Sequence, residues 1–565
     1  MKKIQFRSVV AMANSKLSIK YAAILLSVST LISALLGIFR DRLLNSYYLD
    51  TYPTGVDAYT AAFTIPDFMF FILTSGALAV SFIPVFNQRL SSGNKKSAWE
   101  LSTSTLNLMA LVTLIASIFI MIFADPLIRY IVGPGLDESG TILAINMTRV
   151  IAINPFLFSI ATVLNSVQQA VGRFVFYSLA PALYNIGILI GITVFTNGIN
   201  LFGVQIFEGG IMGVALGVVF GALLQIFVSL IGLFGLGFDY QFKIYWKNHG
   251  FRSVLKLLPA RSLDQGIDYV YSILATNLSS RMGTLRAFQQ ANSLHQMPVN
   301  LIGVAISTAF FPKLTEQVNE DSSEFNGTFR HALRMIIWIS LPVSVISFFA
   351  RGYIVSFIKN GGNAVIASVL GSLVVAIFAQ SIFHIASRGF YARQDTKTPF
   401  VVSIFAVGFT MALSVIFAIT GFGPDGLGWA QSIGALAEII ILLTILNARA
   451  KFQLLDKTFW LAIFRMLIAS FFTAIAAYFM TKLFPLRATD NSIISTIPKF
   501  ILISVFAGLV YLISSFLFNL SEVVPIFEKV SSLIFKNVKM LPKPEKPSEL
   551  EGESENSAQN QKQDK

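Results

Sequence analysis

The chain contains no cysteine, so disulfides, thiolate nucleophiles and cysteine-ligated metal sites are excluded. Histidine is nearly absent too: four residues are scattered among 565, with no HExxH pair. No GxxxxGK[ST] loop occurs, which excludes ATP binding through a Walker loop. Charge is scarce. Asp, Glu, Lys and Arg make up 13% of the chain, against roughly 25% in a soluble domain. So few charged side chains cannot cover a globular surface of this size.

What is abundant is apolar. Hydrophobic residues make up 55% of the chain and the mean hydropathy is +0.69. Apolar stretches such as 21–38, 106–124, 212–236 and 460–480 recur from end to end. Each is long enough to cross about 30 Å of hydrocarbon. No strand-like alternation accompanies them, so helices must satisfy the backbone in lipid. The pattern predicts an all-α polytopic membrane protein with about fourteen transmembrane helices. Their spans are 20–44, 56–88, 100–124, 141–169, 176–197, 209–236, 253–280, 287–315, 330–357, 365–391, 399–420, 426–449, 459–483 and 495–519.

The net charge of +13 sits in the loops. Arg89, Lys95 and Lys96 share one loop; Lys243, Lys247, Arg252 and Lys256 share another; Arg449, Lys451 and Lys457 a third. Loops 196–208 and 420–425 contain neither Lys nor Arg. This alternation accounts for the basic balance without a nucleic-acid partner and predicts both termini in the cytoplasm. Residues 1–19, with Lys2, Lys3, Arg7 and Lys16, read as a cytoplasmic lead-in without a cleavable signal. At the other end, 520–541 read as an interfacial amphipathic helix and 542–565 as a disordered tail.

The segment from Gly76 to Pro84 is similar to that from Val304 to Pro312, and 170–173 to 392–395, each pair separated by six predicted helices. An even offset preserves orientation in the membrane. The expected organisation is an N-lobe (20–236), a cytoplasmic linker (237–256), a C-lobe (257–449) related to the first by a pseudo-twofold, and two added helices (459–519).

Several charged and amide side chains fall inside predicted spans, where they mark function or internal pairing. Asp264 and Asp268, one helical turn apart, and Glu438 are candidates for ion coupling; the alternative is pairing within the bundle. Arg261, Arg281 and Arg286 stand at the ends of helices seven and eight. Asn165, Gln168 and Gln169 either line a cavity or join helices through hydrogen bonds. Arg393, Asp395 and Lys397 either fix a turn or form a cytoplasmic gate.

Five segments carry a resemblance to a known family: Leu35–Asp41 with Val56–Ala58, Ile65–Asp67 and Phe82–Pro84; Asn165–Gln169 with Arg173-Phe174 and Leu179–Asn185; Gly217–Gln225; Leu294–Pro298 with Gly303–Ile306 and Pro312–Leu314; and Gly389–Pro399. Together, in this order, they resemble the MurJ/MviN family of lipid II flippases, within the superfamily of multidrug and polysaccharide exporters. The resemblance covers roughly 20–520. It implies a transporter of the bacterial cytoplasmic membrane that serves cell-wall synthesis. Such a protein carries an undecaprenyl-pyrophosphate disaccharide-pentapeptide from the inner to the outer leaflet by alternating access. It hydrolyses no ATP, uses no cofactor, and is coupled to a monovalent cation or the membrane potential. The last two helices would hold the lipid tail; membrane lipids and cell-wall enzymes are the further partners implied. Another polyprenyl-linked glycan, or a small molecule exported with an ion, stands as the alternative cargo.

The resemblance assigns substrate binding or gating to Arg40 and Asp57, with Arg261, Arg286, Ser293, Gln296, Asn165 and Gln169 as further candidates. For Arg40 the competing reading is a side chain snorkelling to the interface. Other family positions have changed. Ala34, Phe70 or Phe71, and Asn292-Ser293 stand where arginines are expected, and Ser75 where a glutamate is. If Arg40 alone does not hold the pyrophosphate, Arg261 or Arg286 is expected to turn toward the cavity.

Overall fold

Caps written in the sequence set where many of the helices begin. Asn94, Asp137, Asn248, Asn363, Asp456 and Ser492 each accept a backbone N–H from the first turn of the helix that follows. The computed structural model describes residue 14, residues 19–524 and residue 528, apart from 75, 76, 202, 203, 239, 321, 451–453, 488 and 491. The side chains of 19, 20, 22, 23, 77–80, 201, 204, 257–268, 319, 320, 322 and 323 also lie outside that description. The lead-in, most of the expected interfacial helix and the tail therefore fall outside the described residues.

The helices run α1 (Ile19–Tyr48), α2 (Pro53–Leu73), α3 (Ala77–Ser91), α4 (Lys95–Pro126), α5 (Glu138–Ile151), α6 (Asn154–Ala170), α7 (Val175–Thr193), α8 (Met212–Ile231) and α9 (His249–Arg281). There follow α10 (Leu285–Val299), α11 (Ala305–Glu320), α12 (Ser322–Phe349), the short α13 (Arg351–Ser356), α14 (Ala364–Ala392), α15 (Lys397–Ile419), α16 (Gly423–Arg449), α17 (Lys457–Leu483) and α18 (Ile493–Leu517). Among the described residues, thirteen helical segments are long and apolar enough to cross a membrane. The remaining crossing of the expected fourteen is α9, whose polar stretch through Lys256, Arg261, Asp264 and Asp268 lowers its hydropathy.

Four predicted single helices are interrupted. The second crossing divides into α2 and α3, the fourth into α5 and α6, the eighth passes from α10 through a π-helical turn, Asn300–Val304, into α11, and the ninth divides at Ala350 into α12 and α13. The first of these breaks comes at Thr74, just before the repeated segment 76–84, and the third just before its counterpart 304–312. The 196–208 connection also holds a two-stranded antiparallel ribbon, Ile199–Leu201 with Val204–Phe207, which the sequence reading left as a loop.

Helices α1–α8 pack among themselves, as do α10–α16, while α9 lies against α2, α3 and α4 on one side and α15 on the other. Helices α17 and α18 pack on each other and on α12 through Met466, Ala469 and Tyr511. The Trp338 indole N–H donates to Ser515 Oγ at 3.1 Å across this contact. Outward-facing side chains such as Phe405 and Phe471 are largely exposed, as expected where lipid tails are the solvent.

Successive crossings give the bundle two ends. One, where α1 finishes and α9 arrives, is called the sealed end here. The other carries the basic loops. At the sealed end Arg42 donates to the Ser356 carbonyl at 2.6 Å, Asn45 donates to the Ile358 carbonyl at 2.7 Å, and Asn360 donates to Ser46 Oγ at 3.3 Å. Lys359 pairs with Asp50. Asn277 on α9 donates to the Ile131 carbonyl at 2.8 Å. Ile38 of α1 and Leu49, just past its end, pack on the buried cluster of Phe288, Ile358 and Leu370.

Candidate functional site

Below the seal, between the two helix groups, lies a cavity of about 340 Å³. Helix α1 contributes Arg40 and Asp41; α2 contributes Tyr59, Thr60, Phe63, Asp67, Phe70 and Phe71; α10 contributes Arg286, Gln289, Gln290 and Ser293. Phe158 of α6 and Tyr184 of α7 complete the wall. On α2 the residues Tyr59, Phe63, Asp67 and Phe70 follow at intervals of three and four, so one face of the helix supplies them.

The polar centre is built around Asp41. Its Oδ1 accepts from Arg40 Nη2 at 3.1 Å and from Arg286 Nη2 at 3.2 Å. One carboxylate oxygen thus bridges arginines from both helix groups. Arg40 Nη1 also donates to Asn185 Oδ1 at 3.0 Å, and the Asn185 amide is held by the Ser33 carbonyl at 3.2 Å. Arg286 is buried, and its Nη2 reaches Asn45 Oδ1 at 3.5 Å. With its amide oxygen turned to the guanidinium, Gln290 accepts from Arg286 Nε at 3.2 Å and Nη2 at 3.0 Å. The Arg286 backbone N–H donates to Asp57 Oδ1 at 2.8 Å. Asp57 therefore supplies an acceptor to the first turn of α10 from the opposite helix group, where unpaired N–H groups favour a carboxylate.

Of the residues singled out from the sequence, Arg40, Arg286 and Ser293 come together in this cavity, and Asp57 touches its border through Arg286. Gln296 donates to Asn300 Oδ1 at 3.4 Å, one turn away on its own helix. Asn165 accepts from Ser229 Oγ at 2.8 Å, and Gln168 donates to the Ser229 carbonyl at 2.9 Å, joining α6 to α8; Gln169 follows on α6, half-buried. Glu438 accepts from Ser403 Oγ at 2.6 Å between α15 and α16. Arg281 is exposed and donates to Asn277 Oδ1 at 3.0 Å. His295 is buried, with its ring nitrogens on the Asn292 carbonyl and Gln380 Oε1. The α9 backbone runs through Arg261, Asp264 and Asp268, but their side chains lie outside the described residues.

The Arg393–Lys397 segment builds a turn. Asp395 accepts from the Thr398 amide at 3.0 Å, the Thr398 hydroxyl at 2.6 Å and Arg449 Nη1 at 2.6 Å. Burial alone would raise the Asp395 pKa, but these donors outweigh it and hold the carboxyl below its usual range. Arg393 lies over the Phe325 ring, 4.5 Å from its centroid, and Lys397 is exposed.

Sequence reading missed Asp41 as the bridging carboxylate, together with Asn45, Asp67, Asn185 and Gln290. Asp41, Asp67 and Asn185 sat inside the quoted segments, so the signal was present. Asn45 gave no such signal, because its partner Ile358 lies 313 residues away along the chain.

A second concavity, about 380 Å³, lies between α12 and α18. Its wall, which includes Trp338, Pro342, Ile346, Val505 and Leu509, is almost wholly apolar. Among the described residues, no group of three or more His, Cys, Asp or Glu side chains is placed to hold a metal ion.

Comparison with known proteins agrees with this architecture. The family model described as "Lipid II flippase MurJ" matches residues 46–497. The probable lipid II flippase MurJ of Borreliella burgdorferi is 25% identical over 82% of this chain and 90% of its own length. That of Buchnera aphidicola subsp. Schizaphis graminum is 27% identical over 88% and 96%. Among solved structures, a lipid II flippase MurJ in an inward closed conformation superposes with a TM-score of 0.69 at 22% identity, covering 88% of this chain and 98% of its own. An inward-facing MATE-family transporter of the MOP superfamily gives 0.62 at 16% identity, covering 76% and 98%. These structures share the fold. The family match spans most of the chain, and the chain belongs to the lipid II flippase MurJ family: it is a multi-pass membrane transporter.

Proposed function

We propose that this protein moves lipid II from the inner to the outer leaflet of the bacterial cytoplasmic membrane. The observation that carries the reading is the pair Arg40 and Arg286, brought from opposite helix groups into one membrane-embedded cavity. A pyrophosphate head cannot cross hydrocarbon without such partners, and the planar guanidinium fork suits phosphate oxygens.

The two arginines are tied to Asp41. An arriving pyrophosphate competes with Asp41 for the same N–H groups. Arg286 is also tied to Asn45 and Asp57 at the seal. Loading therefore pulls on the contacts that close that end, which links occupancy to the change of access. We place the basic end and both termini in the cytoplasm on the Lys and Arg bias; the sealed end then faces outward. The apolar wall between α12 and α18 suits a polyprenyl tail. The groups α1–α8 and α10–α16 would rock as lobes, with α9 between them, without ATP hydrolysis.

Complementation tests the reading. Bacteria depleted of their own lipid II flippase are expected to grow on the wild-type chain and to fail on Arg40→Ala or Asp57→Ala at equal membrane levels. Correct insertion without growth of the wild type would reject lipid II. The cargo would then be another polyprenyl-linked glycan, a reading favoured by Phe70 and Phe71 standing where the family resemblance expects arginine.

A further inference from the structure

The cavity wall away from the seal differs in character from the arginine centre. Asp67 stands on α2, and Phe70 and Phe71 follow it at i+3 and i+4 on the same face. Phe70 meets the edge of Phe158 at 5.3 Å between centroids, and Phe158 meets Tyr184 at 5.2 Å. All five residues line the cavity. Among the described residues Asp67 has neither a hydrogen bond nor an ion pair. Tyr59 and Tyr184 line the same cavity as Asp67 and Arg40, so the carboxylate and the arginine centre share one chamber.

An ionised carboxylate inside a membrane protein requires a partner, because an unpaired buried charge costs many kcal/mol. Aromatic walls are poor partners for an anion and good ones for an alkylammonium, which they attract through the ring quadrupole. The charged groups lining the chamber, Arg40 and Arg286 against Asp41 and Asp67, sum to no formal charge. Such a balance fits a cargo that itself carries both signs.

We propose that Asp67, with Phe70, Phe71 and Tyr184, forms a subsite for a primary ammonium group on the transported head group. The cargo then carries charges of both signs, with its pyrophosphate at Arg40 and Arg286 and a side-chain amine of its peptide at Asp67. This inference rests on the flippase reading and narrows it to amine-bearing lipid-linked peptides.

The test uses the full-length protein in phosphatidylglycerol vesicles. It compares binding of a lipid II whose peptide carries a free side-chain amine with the same lipid after acetylation of that amine. The wild type is expected to bind the amine form about ten-fold more tightly, the worth of one charge-assisted contact. Asp67→Asn should bring the amine form down to the acetylated one and leave the acetylated one unchanged; Asp67→Glu should keep the preference. Equal wild-type affinity for the two lipids overturns the ammonium subsite and leaves the flippase reading intact. So does an Asp67→Asn loss of equal size for both lipids. Failure of the wild type to bind either lipid overturns the flippase reading itself. Phosphatidylethanolamine could supply the same ammonium chemistry. Adding it to the vesicles is expected to leave the preference unchanged, and abolition of the preference would assign the subsite to bilayer lipid and overturn the cargo assignment.

Discussion

Arg286 links three events through one side chain: it shares Asp41 with Arg40, it reaches Asn45 beneath the seal, and its backbone N–H is held by Asp57. Arg286→Lys keeps the charge and gives up the planar fork. The expected result is a fall in transport of about 10-fold to 100-fold, equivalent to one charge-assisted hydrogen bond, measured as lipid II translocation in reconstituted vesicles. A lysine variant as active as the wild type would show that the charge suffices. At this scale the sequence was partly legible. Arg40 and Asp57 sit in dense motifs, so they could be named before their partners were visible. Asn185 ended one of those motifs as well, but its role could not be named, because its partner Arg40 is 145 residues away. Arg286 was named only together with Arg261 as a side chain that turns toward the cavity, and nothing in the sequence separates the two.

Helices α7 and α8 show what an element contributes. Gly187 and Gly191 face Gly221 and Gly217 so closely that a Cβ on Gly217 would lie 2.4 Å from the Gly191 Cα. Small residues let the two backbones touch, the usual basis of close helix association in lipid. Gly217→Val is expected to cost about 1–3 kcal/mol by overpacking and to lower the melting temperature in detergent; an unchanged melting temperature would show that the crossing can widen freely. The start of α15 depends on Asp395. Its pKa is depressed in the folded protein, so its stabilisation is present above the unfolded carboxyl value, near 3.9. That contribution is lost as pH falls through the lower folded value. Asp395→Ala should therefore cost about 1 kcal/mol at pH 7, with the difference from wild type shrinking as the solution is acidified below about pH 4. Helix content was readable because apolar runs of spanning length have few other solutions. The breaks between α2 and α3, and within α10–α11, were not readable. In a membrane span nearly every position is apolar, so a local departure from α geometry leaves no gap in the pattern. Only the Thr74-Ser75-Gly76 sequence hinted at the first break.

For the whole molecule, the polar contacts between α1–α8 and α10–α16 among the described residues gather at the sealed end. That asymmetry makes the closure testable. Ser46 and Asn360 face each other across it, 3.3 Å apart at their polar atoms. With both changed to cysteine in a chain that has none of its own, a short thiol-reactive cross-linker is expected to stop transport, and either single variant to be unaffected. Full transport by the cross-linked protein would mean that the sealed end need not open. The repeat of 76–84 in 304–312 implies two related halves. It could not foretell which end they close on, because that is set by single side chains.

The seal is also unequal in what mutation can reach. Arg42 and Asn45 are donors encoded in the sequence, but their acceptors are the main-chain carbonyls of Ser356, Phe357 and Ile358. Exchanging the side chains at 356–358 leaves those oxygens in place. A genetic selection for suppressors of a variant trapped shut should therefore return changes at Arg42 and Asn45. It should also return changes at Gly361 and Gly362, whose φ values of 74° and 75° shape the strand of chain just beyond the acceptors. The three residues that accept the bonds should be nearly silent in such a screen.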